Sequence, residues 1–253
     1  MSSQTAPGAG LVVGVLGASG GVGTSTLTTG LAVTAARGTC SPVRGPVVAV
    51  DGLLAGGGLD VTACVEHLPG LRWPDLAGSR GEVAGADLLA ELPRAGGARL
   101  LSAAAEGPLP PPQVVASVMR SLRSVAGVVV VDLPGAASPA GVEALEAACD
   151  VVLLLTGTTP RQLADAVAAC KRVGAVFPDA PVGLVVRGSL RTESLASTMA
   201  EHLGLPLAAC WRDDGRVAVD AERGRTPGDR QRSSQAAVCD DLLAWLAADR
   251  RAA

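Results

Sequence analysis

The 253-residue sequence has no tyrosine, one phenylalanine and three tryptophans, and Lys171 is the only lysine among its 21 basic residues. Without tyrosine, chemistry that needs a phenolic acid is excluded. The near absence of lysine leaves almost no side chain for a point-charge phosphate contact or a Schiff base. Two histidines, His67 and His202, and six scattered cysteines never fall into a CxxC or finger spacing, which argues against a structural metal site and for ordinary thiols. No apolar run approaches the roughly 18 residues of a membrane helix. Residues 1–10 lack the basic stretch of a secretory signal, so a cytoplasmic location is expected. A net charge of −3 gives no general attraction to nucleic acid.

What is present is apolar material, 48% of residues against 18% charged, ample for a buried core. Short β-branched runs alternate with Ala/Leu-rich helical stretches, the pattern of an α/β protein with a mainly parallel, doubly wound sheet. Strands are predicted at 11–16, 47–50, 99–102, 127–131, 151–155 and 182–186. Helices are predicted at 25–36, 85–92, 112–125, 139–148, 161–173, 191–203 and 236–248. No linker or repeat divides the chain. One domain over 10–253 is expected, after a disordered N-terminus at 1–9.

The first strand runs into Gly17-Ala18-Ser19-Gly20-Gly21-Val22-Gly23-Thr24-Ser25-Thr26 and then a helix. Glycines let backbone N–H groups converge on an anion, and the helix start adds unsatisfied donors and a positive dipole end. A ligand-free turn is the plainer alternative. Read as Gly17-x3-Gly21-x-Gly23, the loop resembles that of short-chain dehydrogenases. Those enzymes need a tyrosine with a lysine four residues later, and this chain has no tyrosine.

Read as Gly20-Gly21-Val22-Gly23-Thr24-Ser25, it resembles the deviant Walker A loop, KGGxGK[ST], of the ParA/MinD P-loop superfamily. A strand ending in Asp51 and followed by Gly58-Leu59-Asp60 resembles that family's second strand. The run 128–132 with Leu133-Pro134-Gly135 resembles its Walker B strand, and Gly204-Leu205-Pro206 its late turn before the last strand. The resemblance covers roughly residues 10–248. It implies a P-loop NTPase fold and a nucleotide site formed by Gly20, Gly21, Val22, Gly23, Thr24, Ser25, Thr26, Asp51 and Asp132. ATP and Mg²⁺ are the implied ligands, with Ser25 and Asp132 toward the metal.

The departures lie where the chemistry would be. Ser19 and Thr24 occupy the two lysine positions of the resembled loop, Ala18 its first glycine, and Leu53 the second acid after strand two. Arg187 stands near the position of an adenine-reading asparagine. A mutational drift toward arginine would have turned these lysines into arginine. Losing one charged phosphate contact costs roughly 1.5–3 kcal/mol, about 10- to 150-fold in affinity. Phosphoryl transfer depends still more on positioned charge. Weak nucleotide binding with slow or absent hydrolysis is therefore expected.

Gly70-Leu71-Arg72-Trp73-Pro74-Asp75-Leu76 after Gly56-Gly57-Gly58, with Val185-Val186-Arg187-Gly188, resembles the actinobacterial CpaE-like, septum-site-determining relatives. That resemblance implies a homodimeric scaffold or regulator working with pilus, secretion or cell-division proteins. With the first strand at residue 11, the receiver-like N-terminal domain of some relatives is not expected. The helix at 236–248 carries an apolar side but no basic face, so it is expected to pack on its own domain rather than on a membrane. Residues 212–232 hold six arginines nearly balanced by acids and are expected to form a solvated, mobile surface rather than a DNA-binding patch. Two alternatives stay open: a slow ATPase switch using a partner's arginine, and a DNA-binding partition protein.

Overall fold

The computed structural model describes residues 10–38, 45–135, 142–189 and 192–252. The segment 1–9 and the expected helix starts at 139–141 and 191 lie outside the described residues. The first half runs β1 (Leu11–Gly17), α1 (Thr24–Arg37), β2 (Val47–Asp51), α2 (Leu59–Thr62), α3 (Trp73–Leu76), α4 (Gly85–Glu91), β3 (Arg94–Ala95), β4 (Ala98–Leu101) and α5 (Pro112–Val125). The second half continues with β5 (Val128–Leu133), α6 (Val142–Glu146), β6 (Val151–Thr156), α7 (Pro160–Val176), β7 (Val182–Gly188), α8 (Thr192–Leu203), β8 (Leu207–Arg212), α9 (Arg216–Glu222) and α10 (Ser234–Ala252).

The strands form one sheet in the order β3-β4-β2-β5-β1-β6-β7-β8, with every neighbouring pair parallel except β3–β4. Runs such as Val128 to Val131 are apolar at consecutive positions because helices cover both faces. Alternation along β1 separates the two layers. Val13 and Val15 face Leu27 and Leu31 of α1 with Val238, Leu242 and Leu246 of α10. Val12 and Leu16 face Val115, Val118 and Leu122 of α5, Leu145 of α6 and Met199 of α8. Helix α10 thus packs on its own domain. No helix among the described residues is long and apolar enough to cross a membrane.

Several elements differ from the sequence expectation. β8 reads Leu-Ala-Ala-Cys-Trp-Arg, a composition with little strand preference, yet it pairs with β7 from Leu184↔Leu207 to Gly188↔Arg212. Tertiary pairing outweighs local propensity there. β3 is a two-residue arm joined to β4 through Gly96 and Gly97, both at positive φ, a turn that glycine alone enters cheaply. The stretch 212–232 is not a loose surface. Asp220 bridges Arg225 and Arg230, the Thr226 hydroxyl donates to the Ala63 carbonyl, and Arg37 donates to the Gly228 carbonyl. Three of its six arginines are ion-paired within the chain, Arg212 with Glu193 and both Arg225 and Arg230 with Asp220.

The loop after β2 is held by a buried polar network. The Asp51 carboxylate accepts from the backbone N–H groups of Leu53, Leu59 and Ala103 at 3.0, 2.8 and 3.2 Å. Asp60 accepts from the Ser102 hydroxyl and from Arg72 Nε, at 2.9 and 2.7 Å. The Trp73 indole, fully buried, donates to the Asp51 carbonyl at 2.7 Å. The Trp-Pro motif is therefore the anchor of the loop beside the β2 terminus. Replacing Trp73 by Ala removes a large core side chain together with this hydrogen bond. The expected loss is about 3–5 kcal/mol, read as a lower midpoint in urea unfolding followed by circular dichroism. A variant as stable as the wild type would deny the anchoring role.

Candidate phosphate-loop cleft

Pairing of β1 with β5 sets Val15 opposite Asp132 and Leu16 opposite Leu133. The loop leaving β1 and the acid ending β5 therefore emerge side by side at the carboxyl edge of the sheet. Chain connections diverge there, where open α/β sheets form their crevice. The result is a cleft of about 520 Å³ lined by residues 17–21 and 23–26, Leu53, Asp132 to Gly135, and Asp165.

The loop has the backbone that its glycines suggest. Gly21 and Gly23 lie at φ 75° and 100°, a region costly for residues with a Cβ. A Cβ on Gly17 would run into the Thr24 hydroxyl, so the loop closes tightly on its own strand. Gly23 precedes α1 with no side-chain cap and no acid in the first turn. The first amides of the helix are thus left for a ligand or solvent. The Ser19 hydroxyl is buried with no hydrogen-bond partner among the described residues, a polar orphan within the loop.

Of the residues singled out from the sequence, Gly20, Gly21, Gly23, Thr24, Ser25, Thr26 and Asp132 line this one cleft. Val22 does not, because its side chain is 3% exposed and packs in the core. Asp51 does not either. Its register partner is Asp132, but its carboxylate is buried and turned to three backbone N–H groups, those of Leu53 and Leu59 after β2 and of Ala103 after β4. Burial pushes the Asp51 carboxyl above its usual range, and those hydrogen bonds pull the other way. Its place is under the cleft wall.

The Ser25 hydroxyl donates to Asp132, whose carboxyl is pushed up to about 7 by burial, and further by nearby Asp51, against the lowering effect of that hydrogen bond. A hydroxyl and a carboxylate side by side at a phosphate cradle form a donor set suited to Mg²⁺, a hard cation that prefers oxygen ligands. The backbone cradle likewise fits a phosphate group. The lining lacks basic side chains altogether: none of its described residues is Lys, Arg or His, and two, Asp132 and Asp165, are acids. Arg172, beside the lining residue Gly135, donates to the Gly135 carbonyl at 2.9 Å and to Glu146 at 2.8 Å. Asp165 on α7 was not legible from motifs, since nothing local ties a mid-helix acid to a distant loop.

On the far side of the loop, Arg187 at the end of β7 donates from Nη1 to the Val22 carbonyl at 2.9 Å and from Nε to Asp213 at 2.8 Å. Its guanidinium lies 4.5 Å from the centre of the Trp211 ring. Trp211 is 1% exposed and belongs to β8, the strand whose sequence gave little sign of itself.

The raised Asp132 carboxyl has a thermodynamic consequence. Between about pH 4 and pH 7 the folded protein holds a proton that the unfolded chain has released. Stability from this group is therefore full at low pH, falls across that window and levels off above it. In Mg²⁺-free buffer, Asp132→Asn removes this part of the pH dependence. The stability difference, wild type minus variant, is expected to fall from pH 4 to pH 7 by on the order of 4 kcal/mol at most. Urea titrations at a series of pH values measure it, and a flat difference would contradict it.

No protein-family model matches the sequence. Two uncharacterized proteins of Mycobacterium tuberculosis, from strains CDC 1551 and H37Rv, are each 35% identical to the chain over 215 residues, 85% of its length. The chain spans 58% of the length of these relatives. Among solved structures, a ParA family ATPase from Chlorobium tepidum matches with a TM-score of 0.76 at 16% identity, covering 94% of this chain and 98% of that one. The cell division ATPase MinD of Pyrococcus furiosus matches with a TM-score of 0.76 at 19% identity, covering 94% and 99%. The septum site-determining protein MinD of Pyrococcus horikoshii, complexed with Mg-ADP, matches with a TM-score of 0.73 at 18% identity, covering 92% and 94%. An eight-stranded, mostly parallel sheet with this strand order, these neighbours and a glycine loop leaving its central strand together make the fold that of the ParA/MinD P-loop ATPases.

Proposed function

We propose that the chain is an atypical regulatory or positioning protein that holds Mg-nucleotide weakly and hydrolyses it slowly or not at all. One observation carries this reading: the phosphate cradle is complete in its backbone, yet no described residue lining it is basic and two are acidic. The amides from Gly20 to Ser25 would hold phosphate oxygens, and Ser25 with Asp132 would hold Mg²⁺. The metal, when bound, offsets phosphate charge in a cleft whose own side chains cannot. What these residues supply is binding. Phosphoryl transfer needs fixed positive charge around the transferred group, and the lysine positions of the resembled loop hold Ser19 and Thr24.

On this reading nucleotide acts as a ligand that favours one assembly over another, in a homodimer formed across the cleft face. The partners proposed are pilus, secretion or cell-division proteins. Support comes from the segment 70–76 and its resemblance to CpaE-like proteins, and from the neighbours. These include a MinC:MinD cell division protein complex from Aquifex aeolicus and an ATP complex of Cyanothece McdA. DNA is not proposed as a ligand, because acids nearly balance the six arginines of the 212–232 stretch and three of these are paired, Arg212 with Glu193 and both Arg225 and Arg230 with Asp220.

Calorimetric titration with Mg-ATP and single-turnover hydrolysis test the reading. Binding is expected to be weak, and Thr24→Lys is expected to tighten it by about tenfold or more, the worth of one charged phosphate contact. Turnover by the wild type that Asp132→Ala abolishes would replace the reading with that of a slow ATPase. Unchanged affinity in Thr24→Lys would show that position 24 does not face the phosphates.

A further inference from the structure

We infer that Arg187 is a positioning residue for the phosphate loop, fixing the Val22–Gly23 peptide so that the Gly23 N–H faces the cleft and donates to an oxyanion. This deepens the nucleotide reading of the same site and rests on it for the identity of the ligand. The orientation itself rests on the loop alone.

All peptide bonds described are trans, and in a trans peptide the C=O and the following N–H point in opposite directions. Arg187 Nη1 holds the Val22 carbonyl from behind the loop at 2.9 Å. The Gly23 N–H on the other end of that peptide is therefore directed away from Arg187, and Gly23 lines the cleft. Arg187 is itself held in place twice, by Asp213 at 2.8 Å and by its stack on the buried Trp211 ring. The contact is tight enough to dictate sequence: a Cβ on Gly23 would meet Arg187 Nη1 and approach the Trp211 ring at 3.2 Å. Glycine at position 23 thus meets two demands, a φ of 100° and close approach by this guanidinium.

The arrangement also bears on charge. No described residue lining the cleft is basic, so ligand recognition falls on backbone amides whose aim must be fixed by something else. A charge-assisted hydrogen bond to the carbonyl end of a peptide is a strong way to fix it. It also polarises the amide end toward an anion, since hydrogen bonds in a chain strengthen one another. Arg187 acts from behind the loop and touches no ligand.

Two variants separate this role from general support of the fold. Arg187→Met keeps an apolar stem over Trp211 and removes every donor; Arg187→Lys restores a charge and one donor. Backbone ¹⁵N relaxation of the free proteins, with no ligand present, is expected to show larger-amplitude motion confined to residues 22–25 in Arg187→Met and partial recovery in Arg187→Lys. In the same variants, affinity for Mg-ADP and for pyrophosphate is expected to fall about tenfold for Arg187→Met, with partial recovery for Arg187→Lys. Unaltered relaxation at 22–25 in Arg187→Met would overturn the inference, as would an equal rise in motion throughout the chain. So would wild-type affinity in that variant. If neither probe binds the wild type while relaxation at 22–25 still responds as expected, the nucleotide reading fails and the positioning role of Arg187 stands.

Discussion

The parallel pairing of β1 with β5 is the constraint on which the cleft depends. It is made of backbone hydrogen bonds between two strands buried on both faces, among the least adjustable parts of the molecule. Because Val15 lies opposite Asp132, the glycine loop and the Ser25–Asp132 pair are brought together before any side chain in the cleft has been chosen. Changes at Ser19, Thr24 or Leu53 can therefore alter what the cleft does without altering where it is. The scaffold and the chemistry are separable: strand pairing places the cleft, and the side chains that line it set what it can hold.

That separation shows in the distribution of charge. Around the cleft the cations are turned to the protein itself: Arg172 to the Pro134–Gly135 segment and Glu146, Arg187 to Val22, Trp211 and Asp213. The lining is left with hydroxyls, amides and two carboxylates. Such a surface suits a ligand that brings its own positive charge, and a metal–phosphate complex is the simplest ligand of that kind. The buried Asp132, holding its proton toward neutral pH when no cation is near, is the physical expression of the same imbalance.

The two strand-end aspartates have opposite fates for a reason that a motif does not contain. Asp51 and Asp132 are register partners at the ends of adjacent strands. After β2 the chain turns back under Trp73, and its amides at Leu53 and Leu59, with that of Ala103 beyond β4, converge on Asp51. After β5 the chain leaves through Leu133 and Pro134, and Asp132 stays open to the cleft and to Ser25. Asp60, Ser102 and Arg72 complete the fixture on the β2 side. What reads in the sequence as two equivalent acids is one structural ligand for a loop and one open carboxylate.

The sequence by itself determined the fold class, the positions of β1, β2, β5, β6 and β7 within a residue or two, and the glycine loop. These rest on local signals, namely runs of β-branched residues and glycines required by positive φ. The absence of lysine from the loop was likewise plain from the residues alone. A last strand after Gly204-Leu205-Pro206 was implied by resemblance alone, and only the tertiary structure decided that the Ala-rich segment 207–212 fills that place, because its partner β7 comes from elsewhere in the chain. It also decided that Arg212, Arg225 and Arg230 pair with acids of the same molecule, and that Asp165 joins the cleft while Asp51 leaves it. Charge pairing and the aim of a carboxylate or a guanidinium depend on neighbours distant in sequence, so spacing along the chain carries no record of them.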